Sequence, residues 1–232
     1  MTFKPTFRTR ILNGDFSLSA KLSDMSVPLT IDMLDPTTFS DDAKRALPGL
    51  ETSTFTCSGF IDIDTAADNA AWTAAQPLTY GHEGIALGSP VTMINALKSS
   101  YELGSPVAGI SSFDLGGQTD GKTDLGYSLH DLTAETATGN GTGYDQTVVS
   151  TTAGGVGHLH VTAFSGLTNI IVTVQDSANG SSGWATIGTF ATATGVTSER
   201  LEIAGTVRRY VRASWTVTGT GSATFSAAFS RR

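Results

Sequence analysis

The chain has 232 residues, 39% of them hydrophobic, with a single cysteine and a net charge of -7. That length supports one large core or two smaller ones without covalent staples, and one cysteine excludes an internal disulfide framework. Residues 1–133 carry eight Lys or Arg against sixteen Asp or Glu, and residues 134–232 carry six against five. Such an acidic first part excludes a nucleic-acid binder that grips phosphates, because that affinity comes from Lys and Arg displacing counterions.

The opening MTFKPTFRTR holds no apolar run of the kind a secretory signal needs, and no later stretch approaches a membrane span; a soluble protein made in a cytoplasm is the expectation. Alternating apolar and polar residues bounded by turn residues predict strands at Phe7–Leu12, Val27–Met33, Glu51–Ile63, Pro90–Leu97, Val107–Leu115 and Lys122–Leu132. Asn13-Gly14 is the strongest turn dipeptide, and Cys57, in phase with Phe55, Gly59, Ile61 and Ile63, is expected to be a buried thiol. A helix is predicted over Thr65–Gln76, capped by Asp64 and stopped by Pro77, with Trp72 as its anchor. A second, shorter helix is expected at Asp41–Ala46, behind Ser40 and before Pro48-Gly49, inside the long connection Leu34–Leu50.

Composition changes in TAETATGNGTGYD, and a linker is placed at 134–145, dividing the chain into domains 1–133 and 146–232. Beyond it, strands are expected at Gln146–Ser150, His158–Phe164, Asn169–Gln175, Trp184–Phe190, Glu199–Ala204, Thr206–Val217 and Ala223–Ser230. About seven strands is the number of an immunoglobulin-like or related two-sheet sandwich. In the last pair Val207, Val211, Ala213, Trp215 and Val217 face inward, Gly219 and Gly221 punctuate a turn, and Ala223, Phe225, Ala227 and Phe229 resume the inward face.

Signs of chemistry are sparse. His158 and His160 form an H-x-H pair on one face of a strand, a start for a metal site, but no further ligand is apparent nearby and an exposed polar face is the plainer expectation. Asp62 and Asp64 lack the oxygens and the glycine of a calcium loop. No nucleophile elbow, phosphate-binding loop, H-E-x-x-H or C-x-x-C occurs. No enzyme, metal or cofactor is therefore expected. Arg208, Arg209 and Arg212 with Tyr210 make a basic cluster: Arg208, Tyr210 and Arg212 are candidates for a contact with another subunit or ligand, against a plainer reading as locally paired surface charges.

Four segments carry a family resemblance: TTFSDDAKRALPGLETSTFTCSGFIDID (37–64), HLHVTAFSG (158–166), VTVQDSANGSSGWATIGTF (172–190) and the C-terminal ERLEIAGTVRRYVRASWTVTGTGSATFSAAFSRR. Together they resemble the major tail tube proteins of long non-contractile-tailed bacteriophages. The resemblance implies a mainly β chain, with a tail-tube β-sandwich or barrel-forming domain bearing one short helix, followed by an appended sandwich on the tube exterior. It implies a structural subunit of the virion that assembles as hexameric rings stacked into a conduit for DNA, which passes without specific binding. Other copies of itself, the tape measure, tail tip and terminator proteins are the implied partners.

By position, Asp35–Gly49 matches the extended loop that family members place between neighbouring subunits. Its candidate contacts are Asp35, Pro36, Phe39, Asp41, Asp42, Lys44, Arg45, Leu47, Pro48 and Leu50; the alternative is a loop folded over its own core. Asp32, Thr54, Thr56, Ser58 and Asp62 are candidates to face the lumen, where a polar, negative wall repels DNA. A carbohydrate-binding or adhesin module and a capsid decoration protein remain as other readings of the same catalytic silence.

Overall fold

A computed structural model describes residues 9–19, 21–61, 72–148 and 152–232. The described residues form antiparallel strands and no helix: β1 (Arg10–Asn13), β2 (Phe16–Ser17), β3 (Leu22–Ser26), β4 (Leu29–Leu34), β5 (Leu47–Phe60), β6 (Gln76–Gly81), β7 (Pro90–Gly104), β8 (Ser112–Thr119), β9 (Asp124–Glu135), β10 (Gly139–Asn140), β11 (Tyr144–Asp145), β12 (Gly155–Ser177), β13 (Ala185–Thr189), β14 (Thr197–Ile203) and β15 (Tyr210–Arg231). The mainly β expectation holds.

The chain folds as two compact units, and they divide it elsewhere than at residues 134–145. The first contains the described residues up to 19 with Gln76–Ile94 and Asp124–Arg232; the second contains those of Lys21–Ala75 and Asn95–Thr123. The expected linker is instead structured, because β10 and β11 pair with β15 through Gly139↔Trp215 and Tyr144↔Val211. Small residues make this close pairing feasible: a Cβ on Gly139 would meet the Trp215 ring at 2.8 Å, and one on Gly143 the Trp184 ring at 2.6 Å.

The first unit is built on β12 and β15, which pair from Gly155↔Arg231 to Ser177↔Tyr210. Each was expected as two strands, with a turn at Gly219 and Gly221 in the second. Both run through instead, with register shifts on β12 between Val161 and Leu167 and again before Asn169. Gly166 (φ 75°) and Gly219 (φ 95°) accommodate the irregularity, so Gly219, which reads as a turn signal, serves a bulge in a bent pair of strands. The alternation in β15 behaves as expected, with Val211, Ala213, Trp215, Phe225 and Phe229 in a core with Leu159, Ile170, Val172 and Phe190. Near its C-terminal end β15 is buried on both faces, since Ala228 joins a second cluster with Leu12, Val91, Met93 and Val156. Asn13-Gly14 makes the β1–β2 turn, with Gly14 at φ 60°.

In the second unit β5 is central. β3 and β4 lie in line along one side, from Leu22↔Gly59 to Leu34↔Leu47. Pro28 sits in the gap between them, where no ladder donor is needed. On the other side β8 pairs with β5 through Thr54↔Gln118 to Phe60↔Ser112, and the stretch of β7 from Ala96 to Gly104 pairs with β8. Phe55, Cys57, Phe113 and Leu115 are buried on one face, with Trp72 stacked on Phe55 at 6.0 Å between ring centroids.

Of the expected helix at Thr65–Gln76, residues 65–71 lie outside the described residues; 72–75 are irregular and Gln76 opens β6. The short helix expected at Asp41–Ala46 is absent, and those residues form bends at the tip of a hairpin. Thr38 explains the difference: its backbone N–H and hydroxyl donate to Asp41 Oδ2 at 2.7 and 3.0 Å, giving the backbone a local alternative to helical bonding. β8 starts at Ser112 instead of Val107, because residues 105–111 form the β7–β8 turn.

Candidate functional site

The open sheet of the second unit is the candidate site. Along β5 the odd residues Ser53, Phe55, Cys57 and Gly59 are buried while the even residues Thr52, Thr54 and Thr56 are exposed and Ser58 is half-buried, as the period of two requires. Three of the expected lumen residues, Thr54, Thr56 and Ser58, thus share one face. Asp32 is exposed on β4 at a register irregularity between Ile31 and Met33, and Asp62 lies outside the described residues.

Cross-strand register continues that face into a row of carboxylates. Asp24 on β3 is opposite Ser58, Ser58 is opposite Asp114 on β8, and Asp114 is opposite Glu102 on β7. These groups line a shallow depression with Thr56, Ser100 and Gly116. Beneath them Cys57 is buried, and its thiol is pushed up to about 12, mainly by burial and secondarily by the charges of Asp114 and Asp24. Neither the row nor its extension onto β3, β7 and β8 was anticipated from sequence, since alternation within one strand does not say which strands lie beside it.

The loop Asp35–Gly49 belongs to a projecting hairpin. β4 pairs with the first half of β5 from Leu29↔Ser53 to Leu34↔Leu47, and residues 35–46 form its tip. Every residue of β4 is exposed, and on the partner strand Leu47, Pro48 and Leu50 are exposed as well. Phe39 at the tip is fully exposed, Leu50 is 81% exposed and Met33 65%. The loop therefore does not fold over its own core. Its shape comes from short polar contacts: Asp35 Oδ1 accepts from the Thr37 backbone at 3.0 Å and from the Thr37 hydroxyl, and the Arg45 backbone donates to Thr37 Oγ1 at 3.0 Å. Those Thr37 bonds hold the Asp35 carboxyl below its usual range. Asp42, Lys44 and Pro36 are exposed, and Arg45 sits 3.9 Å from Asp41.

Among the described residues the exposed sheet is unfinished at its sides. Among the described residues β3 and β4 pair with β5 alone, and the described partner of Tyr101–Gly104 is β8. Such edges present unpaired backbone donors and acceptors, and an apolar two-stranded arm is marginal in water by itself.

Other candidates resolve into internal structure. In the first unit Arg208 Nε and Nη2 donate to Asp176 at 2.9 and 2.6 Å, and Arg212 Nε donates to Gln175 at 2.9 Å while its guanidinium lies 4.2 Å over the Trp184 ring. Arg209 grips Asp145 with two bonds of 2.7 Å, holding that carboxyl down at about 2, and lies over the half-buried Tyr210 ring. Trp215 is buried, as its phase indicates. His158 and His160 do share a face, but that face is fully buried. No cluster of three or more His, Cys, Asp or Glu suited to a metal occurs among the described residues.

No protein-family model and no curated protein matches the chain. Solved structures with a similar fold include a chain from the virion of a native gene transfer agent particle, at 12% identity and TM-score 0.45, covering 53% of this chain and 98% of that one. A chain from the tail of an empty gene transfer agent particle with C6 symmetry is similar at 11% identity and TM-score 0.40, over 45% and 81% of the two chains. The SPP1 Dit protein, described as a paradigm of the hub adsorption apparatus in phages infecting Gram-positive hosts, is similar at 12% identity and TM-score 0.39, over 95% and 98%.

Proposed function

We propose that this protein is a structural subunit of a bacteriophage tail, assembling with copies of itself as stacked six-membered rings that form a conduit for DNA. The observation that carries the reading is the second unit's sheet, which among the described residues leaves backbone edges open and extends one side into an exposed apolar arm. A heterologous contact between the β3/β4 side of one copy and the β7 side of the next satisfies those edges, and its repetition closes a ring. The arm, through Phe39, Leu47, Leu50 and Met33, then buries its apolar surface on a neighbouring copy, with Lys44 and Arg45 meeting carboxylates there.

In this reading the face bearing Thr54, Thr56 and Ser58, with Asp24, Asp114 and Glu102, lines the lumen, joined by Asp32. A wall with repeated carboxylates repels the DNA backbone, which then slides without adhering. Chemistry is not required, so neither a catalytic group nor a cofactor enters the mechanism. Tape measure, tail tip and terminator proteins are the further partners, the virion tail is the place of action, and the half-exposed parts of Arg208, Tyr210 and Arg212, beyond their internal pairings, are offered to outer components.

Electron microscopy of the purified protein across a concentration series, with light scattering for mass, tests this function. Rings or hollow tubes with a uniform channel are the expected result. Trimers that bind capsids would favour a decoration protein, and a monomer at every concentration, even when seeded with tail tips, would overturn the conduit.

A further inference from the structure

The first unit buries two histidines that the assembly reading does not use. They sit on β12 between β6, the β1–β2 turn and β14, and both are fully buried. Thr79 Oγ1 on β6 lies 3.0 Å from His158 Nδ1 and 2.8 Å from His160 Nε2. At the outer ends, Arg200 Nη1 is 3.0 Å from His158 Nε2, and His160 Nδ1 is 2.7 Å from the Gly14 carbonyl oxygen.

The two ends fix every proton between them. An arginine only donates, so His158 Nε2 accepts and its proton is on Nδ1, which donates to Thr79 Oγ1. A carbonyl only accepts, so His160 carries its proton on Nδ1 and leaves Nε2 to accept from the Thr79 hydroxyl. Each ring is thus neutral, each nitrogen is satisfied, and the single hydroxyl both accepts and donates. An added proton has no acceptor. On His158 it would confront the Arg200 donor, and on His160 it would turn the Thr79 hydroxyl proton away from Nε2, its one acceptor among the described hydrogen bonds.

We infer that this relay is a pH-operated lock: two neutral Nδ1–H histidines bridged by Thr79 fasten β12 to β6 and to the β1–β2 turn, and protonation of either ring opens that fastening. The charged surroundings favour the neutral state. Arg200 faces His158 from β14 and is paired with Asp124 of β9 at 2.6 Å and with Glu202 at 3.3 Å. Arg232 at the C-terminus holds Asp124 at 3.0 Å and Glu202 at 2.7 Å, so these carboxylates are engaged by arginines. From β6 and the β1–β2 turn the relay meets a hydroxyl and a carbonyl, with Asp15 next in the turn half-buried. Burial accordingly lowers His158 well below the usual histidine value and His160 to about 4, with the His160 and Arg200 charges adding to the effect on His158. A folded value below the unfolded one means that the contribution to stability is complete above about pH 6.5 and is lost as pH falls toward 4.

Nitrogen-15 NMR of the full chain at pH 7 reads the relay directly, in solution or by magic-angle spinning if the chain is assembled. Both rings should show a protonated Nδ1 and a bare Nε2, the tautomer that free histidine disfavours; an Nε2–H tautomer at either ring would overturn the proposal. Hydrogen exchange at falling pH should show β6, β1–β2 and the start of β12 opening first. T79V should move that opening to higher pH and T79S should restore it. Equal shifts in T79V and T79S would assign the effect to packing and overturn the hydroxyl relay, whether or not the chain forms tubes.

Discussion

The β12/β15 pair of the first unit and the β5-centred sheet of the second use the same alternating pattern to opposite ends. In the first, the C-terminal end of β15 is covered on both faces, and the buried polar groups of the relay find partners on β6, β14 and the β1–β2 turn. In the second, one face of β5 is packed and the other is open, the sides lack described partners, and a hairpin carries Phe39, Met33 and Leu50 into solvent. The first region covers its strands and buried polar groups internally, whereas the second leaves an apolar hairpin exposed and, among the described residues, its sheet sides unpaired.

The difference can be broken most forcefully from the complete side. Replacing Phe225, buried and stacked on the His130 ring at 4.2 Å, by Ala should cost about 3–5 kcal/mol in a denaturant titration. Acid acts next: between pH 6.5 and 4 the lowered His160 alone should remove about 3 kcal/mol of stability, and thermal unfolding scans across that range should be shallower in a folded H160N variant, which keeps only the slope from His158. Arg212→Ala removes the contact over Trp184 and should cost about 0.5–1 kcal/mol, with unchanged assembly by light scattering.

The open side is sharpened by labelling. Cys57 is buried with a thiol near 12, so at pH 8 about one in ten thousand is thiolate and the unmodified chain should be silent to a bulky thiol reagent. Thr56→Cys should then label in free subunits and be shielded in assembled tubes; labelling from the outside alone would remove that face from the lumen.

How much of this was legible in the sequence varies by feature. The inward phase of Val211, Ala213 and Trp215 and the two faces of β5 were readable because a strand's period is local. Gly219 misled because a glycine at positive φ marks a bulge as readily as a turn, and only the partner strand's own irregularity near Gly166 distinguishes them. Gly139 and Gly143 read as part of a linker, yet they are small so that Trp215 and Trp184 can pack against them. The H-x-H spacing placed both rings on one face, but that Thr79, 79 and 81 residues away, covers that face is a fact of topology. The same holds for the carboxylate row, whose members come from the two strands beside Ser58 and from β7 beyond them.

The most direct measurement compares wild type with a Phe39→Asp, Leu47→Asp double variant by analytical ultracentrifugation and thermal unfolding. The account predicts that the variant stays a folded subunit, within about 0.5 kcal/mol of the wild-type subunit, and no longer assembles under conditions where the wild type forms rings or tubes. A variant that assembles like the wild type, or that unfolds as a subunit, would contradict it.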